Sequence, residues 1–313
     1  MAGSKNGIVV LGAVFVDIKG FPDDIYIPDG RNAGRVEYIH GGVSRNVVED
    51  IANMELRPTF LGIVDDSALG EAVIRKLKNH KVNTEYMKTI PNGMGTWLAV
   101  FDNSGDLAGS ISQRPDLMPI LSILEENGDE IIENCDSVIL EVDIDKEIVK
   151  KVVQLCEKYD KKLYGVVSNM SIAVERRDFL KSFDCFICNQ LEAGIFFADD
   201  YSEKTPDELC EILTERLKVA KIPSMIVTMG AQGSVYADDQ GNRGYCPVQK
   251  VTVKDTTGAG DAFCAGAASA LTYGKTLAEA VEIGTRLSAS VITSSENVCP
   301  RFQPEEFGIS AER

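Results

Sequence analysis

The chain has 313 residues, with 32 Lys and Arg against 48 Asp and Glu, for a formal net charge of −16. A domain usually runs roughly 100–200 residues, and the 44% apolar content suffices for a full hydrophobic core, so residues 1–313 are read as one large α/β unit. The negative balance argues against nucleic acid or an anionic membrane as the main partner, because both demand a basic footprint, and leaves room for a local positive pocket for a small anion.

The first apolar run, Ile8–Val16, reads as a buried strand ending at Asp17. Its flanks lack the small-residue cleavage site of a signal peptide, and no stretch approaches the ~20 apolar residues of a bilayer span. Val43–Met54 pairs Val47 with Ile51 and Val48 with Ala52 at helical spacing. Thr59–Val64 predicts a strand and Ala68–His80 a helix. Ser137–Val142 and Lys162–Val167 predict strands around a helix over Lys146–Tyr159. A strand over Phe183–Cys188 leads into a helix from Gln190. Thr205, Pro206 and Glu208 form a capping box that opens a helix over Pro206–Val219. Strands over Ser224–Met229, Ser234–Ala237 and Lys250–Lys254 follow. Helices close the chain at Asp261–Leu271 and Leu277–Ser294, the second opened by a box of Thr276 and Glu279. Such alternation predicts a mostly parallel sheet with helices on both faces. Two stretches, Asp23–His40 and Thr84–Ser112, break the rhythm with short alternating runs and Pro–Gly punctuation. They predict a small β lid inserted in the α/β body.

The 8 cysteines are spread too thinly for a disulfide scaffold, which favours reduced thiols and a cytoplasmic protein. Cys185 and Cys188 have CxxC spacing, but they sit in a predicted buried strand with no second pair. The 2 histidines, His40 and His80, leave no basis for a His-rich metal site or a His-based triad.

The richest local signal is Asp255-Thr256-Thr257-Gly258-Ala259-Gly260-Asp261. A Gly-rich turn leads into a helix of small residues, so backbone N–H groups can face an anion. The helix start adds roughly half a positive charge. A carboxylate at 261 repels bound phosphate, so it suits proton acceptance from a hydroxyl better than binding. The same residues also make an ordinary helix start. Gly274-Lys275-Thr276 is not a Walker A motif, because Ser269 stands where its glycine is required, and no GxGxxG follows the first strand. Gly41-Gly42-Val43-Ser44-Arg45-Asn46 frees the backbone before a helix, with Asn46 able to bind hydroxyls. Asn189 and Glu192 read either as a helix cap or as ligands near phosphate and hydrated Mg²⁺. Thr228, Gly230 and Gly233 mark a strand exit that either wraps a nucleotide or turns a hairpin. Asp17 either holds substrate hydroxyls or is a surface turn residue.

Taken in order, Gly12–Asp17, Gly41-Gly42 with Asn46, Asn189 with Glu192, Thr228 with Gly230 and Gly233, and Asp255–Asp261 resemble the ribokinase-like, or PfkB, family of carbohydrate and nucleoside kinases over nearly the whole chain. The resemblance implies a three-layer α/β/α sandwich with a β lid, and ATP with Mg²⁺. It makes Asp261 the base and the amides of Gly258, Ala259 and Gly260 the anion hole. It assigns Asn189 and Glu192 to metal and phosphates, Thr228, Gly230 and Gly233 to the nucleotide, and Asp17, Gly41, Gly42, Asn46 and Thr96 to the acceptor. It also implies a monovalent cation, K⁺, near Asp255 and Thr257, and a homodimer through the lid.

The Gly-Gly-Val-Ser-Arg-Asn run and Val100–Asp106 look like the pseudouridine kinase branch. However, Gly165–Ser171 lacks that branch's Asp, Pro and Lys, and Ile187-Cys188-Asn189 and Glu141-Val142-Asp143 also depart from its pattern. Ribose- or fructose-type sugars, an ADP donor, and a catalytically silent sugar or nucleotide sensor are the alternatives.

Overall fold

The computed structural model describes residues 5–310. An eight-stranded sheet runs through the centre. Thr59–Leu61, Ile8–Leu11, Ser137–Glu141, Lys162–Val166, Cys185–Asn189 and Ser224–Thr228 lie side by side and parallel. Ser234–Asp238 and Arg243–Cys246 extend that edge antiparallel.

Successive strand side chains point to opposite faces, and here each face feeds its own core. Val9, Leu140 and Phe186 belong to one, under helices Met118–Glu133, Lys146–Tyr159 and Pro206–Ala220. Val10, Ile139 and Ile187 belong to the other, under helices Val43–Asn53, Ala259–Thr272 and Leu277–Ile292. A sheet buried on both sides by helices gives the three layers the sequence predicts. The fold class therefore stands as predicted.

The same alternation removes any joint role for the CxxC pair. Cys188 points into the first core and Cys185 into the second. All eight cysteines carry free thiols.

Both predicted capping boxes form, Thr205 with Glu208 and Thr276 with Glu279. The helices Ala259–Thr272 and Leu277–Ile292 cross with almost no side-chain spacer. A Cβ added to Gly266 would lie 3.0 Å from Gly284 Cα, and one on Gly284 would lie 2.8 Å from Phe263 O. This contact anchors the helix whose first turn carries the candidate chemistry.

Several boundaries differ from expectation. The run Ile8–Val16 is two strands, because the chain leaves the central sheet after Leu11 and re-enters β structure at Phe15 in the lid. Thr59–Val64 breaks at Gly62, and Ile63–Val64 pairs instead with Lys88–Thr89. The strand predicted at Phe183 starts at Cys185 and ends at Asn189. Lys250–Lys254 has no strand partner; Val251 and Val253 are exposed in irregular chain. The helix Met118–Glu133 was not predicted. Its apolar positions cluster at Ile120–Leu124 and Ile131–Ile132, separated by an acidic stretch that mimics a loop.

The lid is a four-stranded sheet in the order Gly34–Gly41, Phe15–Pro22, Gly95–Phe101, Leu107–Gln113. The predicted segment 23–40 thus omits its inner strand Phe15–Pro22, and 84–112 begins before the sheet does. One face of the lid turns toward the body. The other presents a row of Tyr38, Ile18, Leu98 and Ile111 in cross-strand register, of which Tyr38 is 60% and Ile111 70% exposed.

Candidate active site

The carboxyl ends of the parallel strands and the lid enclose three adjoining clefts. The first, of about 470 Å³, lies under the lid and is lined by Asp17, Gly42, Asn46, Thr257, Gly258 and Asp261, all singled out from the sequence. A second, of about 510 Å³, lies on the other side of the Gly-rich turn. Thr228, Gly230, Gly233, Ala259 and Gly260 line it, and Val251, Phe263 and Ile292 give it an apolar wall. A narrow space of about 220 Å³ joins the two and holds Asn189, Glu192, Thr228, Gly260 and Asp261. Asp261 therefore borders the first cleft and the connection. Gly260 and Thr228 border the connection and the second cleft. A larger surface hollow of about 680 Å³ along Leu191–Ser202 contains none of these groups except the helix that Asn189 caps.

The turn is built for close approach. Gly258 caps the helix at φ 80°, a backbone conformation that favours glycine. A side chain there would also strike the Asn297 carbonyl, at 2.0 Å from the added Cβ. The Asp255 carboxylate accepts the Thr257 N–H at 2.8 Å, which pins the turn and holds the Asp255 carboxyl below its ordinary range. The Ala259 N–H donates to Thr256 O at 3.2 Å. Ala259 thus stabilises the turn itself, while the amides of Gly258 and Gly260 take no partner within the described chain. No heavy atom lies within 4 Å of a Cβ placed on Gly260. That leaves unpaired N–H groups at the positive end of a helix facing an open cleft, an arrangement that attracts anions.

Asp261 sits in the first turn of the same helix. Burial pushes its carboxyl up to about 6, against the opposing pull of the Asn46 hydrogen bond and the Arg45 guanidinium; Asp17 adds a smaller upward push. Asn46 Nδ2 donates to Asp261 Oδ2 at 2.6 Å. A carboxyl shifted toward neutrality, hydrogen-bonded on one oxygen and facing a cleft, is suited to accepting a proton.

Arg45 is buried in the helix Val43–Asn53. It pairs with Glu49 at 2.6 Å and also donates to the carbonyls of His40 and Gly41. Lys76 reaches the other Glu49 oxygen at 2.9 Å. A fully paired buried cation of this kind supplies positive potential behind the site without touching the cleft. Gly41 is not part of the cleft lining. Its role is spatial: a Cβ there would come within 2.6 Å of the Asp17 carboxylate. Gly42, at φ 97°, starts the helix with its backbone against Ala13. Burial raises the Asp17 carboxyl, with Lys19 and Arg45 opposing.

Thr96 does not line the cleft. Asp17 is in register with Trp97, so strand alternation puts Trp97 on Asp17's face and Thr96 on the other. The far wall, which the sequence did not single out, consists of Phe15, Trp97, Ser112, Arg114, Ser168 and Asn169, with Glu141 at its base. Asp143 organises it. Its carboxylate accepts from Ser168 N and Oγ, from Asn169 N, and from both terminal nitrogens of Arg114. Glu141 accepts from Ala13 N at 3.0 Å and Ser44 Oγ at 2.8 Å, and burial together with the Asp143 charge pushes its carboxyl up to about 7. The only signals for this wall in the sequence were the unusual Glu141–Asp143 and Gly165–Ser171 stretches.

Asn189 and Glu192 form a complete capping box, so the cap reading holds in full. The box uses Glu192 Oε2, at 2.8 Å from Asn189 N, and not the second carboxylate oxygen. Burial, then the charges of Asp143 and Asp261, raise the Glu192 carboxyl. No group of three or more His, Cys, Asp or Glu able to hold a metal exists among the described residues. Mg²⁺ typically keeps several waters and takes one or two carboxylates plus phosphates, so a single available carboxylate oxygen among like charges fits its donor chemistry.

The family model described as "pfkB family carbohydrate kinase" matches residues 5–299. Guanosine-inosine kinase of Exiguobacterium acetylicum is 34% identical over 294 residues, covering 93% of this chain and 96% of that one. Pseudouridine kinase of Escherichia coli (strain K12) is 23% identical over 300 residues, covering 92% and 91%. The structure of Arabidopsis thaliana ribokinase complexed with ribose and ATP superposes with a TM-score of 0.82 at 19% identity, over 98% of this chain and 99% of that one. At that identity the superposition speaks to the fold.

The raised Asp261 carboxyl yields a stability prediction that is independent of turnover. The folded state binds this proton more tightly than the unfolded chain, so burial of Asp261 costs nothing below the unfolded value near 3.8 and its full amount above about pH 6. Asp261→Asn is expected to melt a few degrees higher than wild type at pH 8. Differential scanning calorimetry should see that gain shrink as pH falls from 6 to 4.

Proposed function

The chain belongs to the pfkB family of carbohydrate kinases, and from that premise we propose that it transfers the γ-phosphoryl group of ATP to a hydroxyl of a 6-oxopurine nucleoside. It is a phosphotransferase acting on a sugar or nucleoside alcohol; the donor, the acceptor and the residue roles are the proposal. The observation that carries it is the position of Asp261, where the lid cleft meets the connection to the second cleft, beside the unpaired amides of Gly258 and Gly260.

In this reading the acceptor lies under the lid. Asp17 and Asn46 bind its sugar hydroxyls, with Gly41 and Gly42 keeping the backbone close. Asp261 accepts the proton of the attacking hydroxyl as the new P–O bond forms and the bond to the leaving nucleoside diphosphate breaks. The amides of Gly258 and Gly260, with the helix start behind them, stabilise the charge on the migrating group, while Ala259 keeps the turn in shape. Thr228, Gly230 and Gly233 border the nucleotide, whose base meets the apolar wall of the second cleft. Asn189 and Glu192 would hold Mg²⁺ through water, where it would neutralise phosphate charge. Asp255 and Thr257 offer oxygen donors for K⁺ beside the turn. Lid closure would exclude water and protect ATP from hydrolysis.

The aromatic pair Phe15 and Trp97 favours an acceptor with a flat base over a bare sugar. Arg114 and Asn169 add donors for ring carbonyl and nitrogen acceptors. The similarity to guanosine-inosine kinase supports this choice over the pseudouridine and ribose alternatives. The intact turn, with its two unpaired amides, and Asp261 favour catalysis over a silent sensor. A cytoplasmic setting is supported by eight free thiols. The apolar outer face of the lid supports a homodimer formed there.

Asp261→Asn should lower kcat by about 10²–10⁴-fold with ATP affinity little changed; near-native turnover would remove Asp261 as base. In wild type, kcat/KM for the acceptor should fall as pH drops through about 6, since the base must be ionised. An ADP-release screen should rank guanosine and inosine above pseudouridine, ribose and fructose. Trp97 is the single tryptophan, so its fluorescence should respond to the same ligands without turnover; a preference for ribose in both assays would overturn the nucleoside reading. Sedimentation should give a dimer for wild type and a monomer for Ile111→Glu.

A further inference from the structure

Asp261 and Asn46 are 215 residues apart in sequence, and the hydrogen bond between them requires Asn46 to present its nitrogen. An ionised carboxylate only accepts. An asparagine amide can turn over and present its oxygen instead, which would place two acceptors face to face. Something must therefore hold Asn46 in one of its two orientations.

The loop after the helix Leu277–Ile292 supplies that constraint. Asn297 Nδ2 donates to Asn46 Oδ1 at 3.3 Å, and to His40 O at 2.9 Å. The second bond anchors the Asn297 amide on the end of the lid strand Gly34–Gly41, so its nitrogen cannot swing away without losing a backbone partner. A donor fixed against Asn46 Oδ1 leaves Asn46 Nδ2 for Asp261. The same residue touches the turn on its other side, since its carbonyl occupies the space that a Gly258 side chain would need.

We propose that Asn297 is a positioning residue for the kinase reaction: through its side-chain N–H it fixes the amide orientation of Asn46, and so the hydrogen bond that aims Asp261, while its backbone carbonyl packs against Gly258. It acts through Asn46 and does not touch the acceptor, and it is absent from the residues lining the lid cleft. The inference rests on the reading of Asp261 as the base. It goes beyond that reading by adding a third member to the arrangement, contributed by the C-terminal loop, and by connecting the catalytic carboxylate to the lid through His40 O.

The test compares Asn297→Ala, Asn297→Asp, Asn46→Ala and the Asn46→Ala/Asn297→Ala double variant, with kcat, KM for ATP and melting temperature measured for each. Asn297→Ala is expected to lower kcat by about tenfold with KM for ATP unchanged. Asn297→Asp, the same shape with an acceptor in place of the donor, should be slower than Asn297→Ala. In the Asn46→Ala background, removing the Asn297 side chain should change kcat by less than about twofold, because the orientation it fixes no longer exists.

The proposal is overturned if Asn297→Asp is at least as active as Asn297→Ala, as a space-filling role would give. It is equally overturned if the Asn297→Ala loss persists undiminished in the Asn46→Ala background. Melting temperatures separate these results from failure to fold, and the conservative Asn297→Asp variant keeps the volume should Asn297→Ala prove unstable. Asp261→Asn assayed alongside distinguishes the two readings. If it turns over normally, the base assignment fails first, whereas a slow Asp261→Asn enzyme with uncoupled Asn297 and Asn46 refutes only the positioning role.

Discussion

The bond from Asn46 to Asp261 joins two helices that follow from opposite ends of the chain. One, Val43–Asn53, is launched from the lid; the other, Ala259–Thr272, from the Gly-rich turn. Most features of the site can be understood as conditions for that contact. The crossing at Gly266 and Gly284 fixes the depth of the second helix. The Arg45–Glu49–Lys76 cluster fixes the first and gives the neighbourhood a positive bias. With the two carboxylates Asp17 and Asp261 sharing one desolvated pocket, that bias keeps like-charge repulsion within bounds.

The two sides of the reaction space are built by different physics. The side below the turn is apolar and formed by irregular chain around Val251 together with Phe263 and Ile292. The lid side is polar and rigidly networked, with Asp143 gathering Ser168, Asn169 and Arg114 around one carboxylate. Buried polar networks specify geometry when every member is satisfied. The lid wall accordingly offers a defined set of donors, while the opposite wall offers area and shape.

Much of this architecture was readable from the chain because local rules decide it. Period-two burial, the Thr205 and Thr276 capping boxes, and the run Asp255–Asp261 each carry their meaning within a few residues. Register and long-range pairing do not. Whether Thr96 or Trp97 faces Asp17 depends on a strand partner far along the sequence. Phe15 and Val16 read as the end of the first strand, because the apolar run continues through the change of sheet after Leu11. Val251 and Val253 alternate like a strand but find no neighbour to bond with, and so remain open chain beside the second cleft. Arg45 looks like an exposed helix residue with an i,i+4 partner, and only packing reveals that it is interior. Asn297 lies in a loop with no motif at all; its relevance arises from contacts with His40 and Asn46, over 250 residues away.

The contiguous hairpin Gly95–Gln113, together with Arg114, brings Trp97, Ser112 and Arg114 to the wall of the lid cleft, and none of its residues lines the second cleft. In the proposed reading, three residues of the acceptor wall thus sit on one contiguous stretch, while Phe15, Asp17, Asn46, Ser168 and Asn169 reach the same cleft from other parts of the chain. A substitution in that hairpin therefore reshapes one wall of the lid cleft while the lining of the second cleft stays as it is.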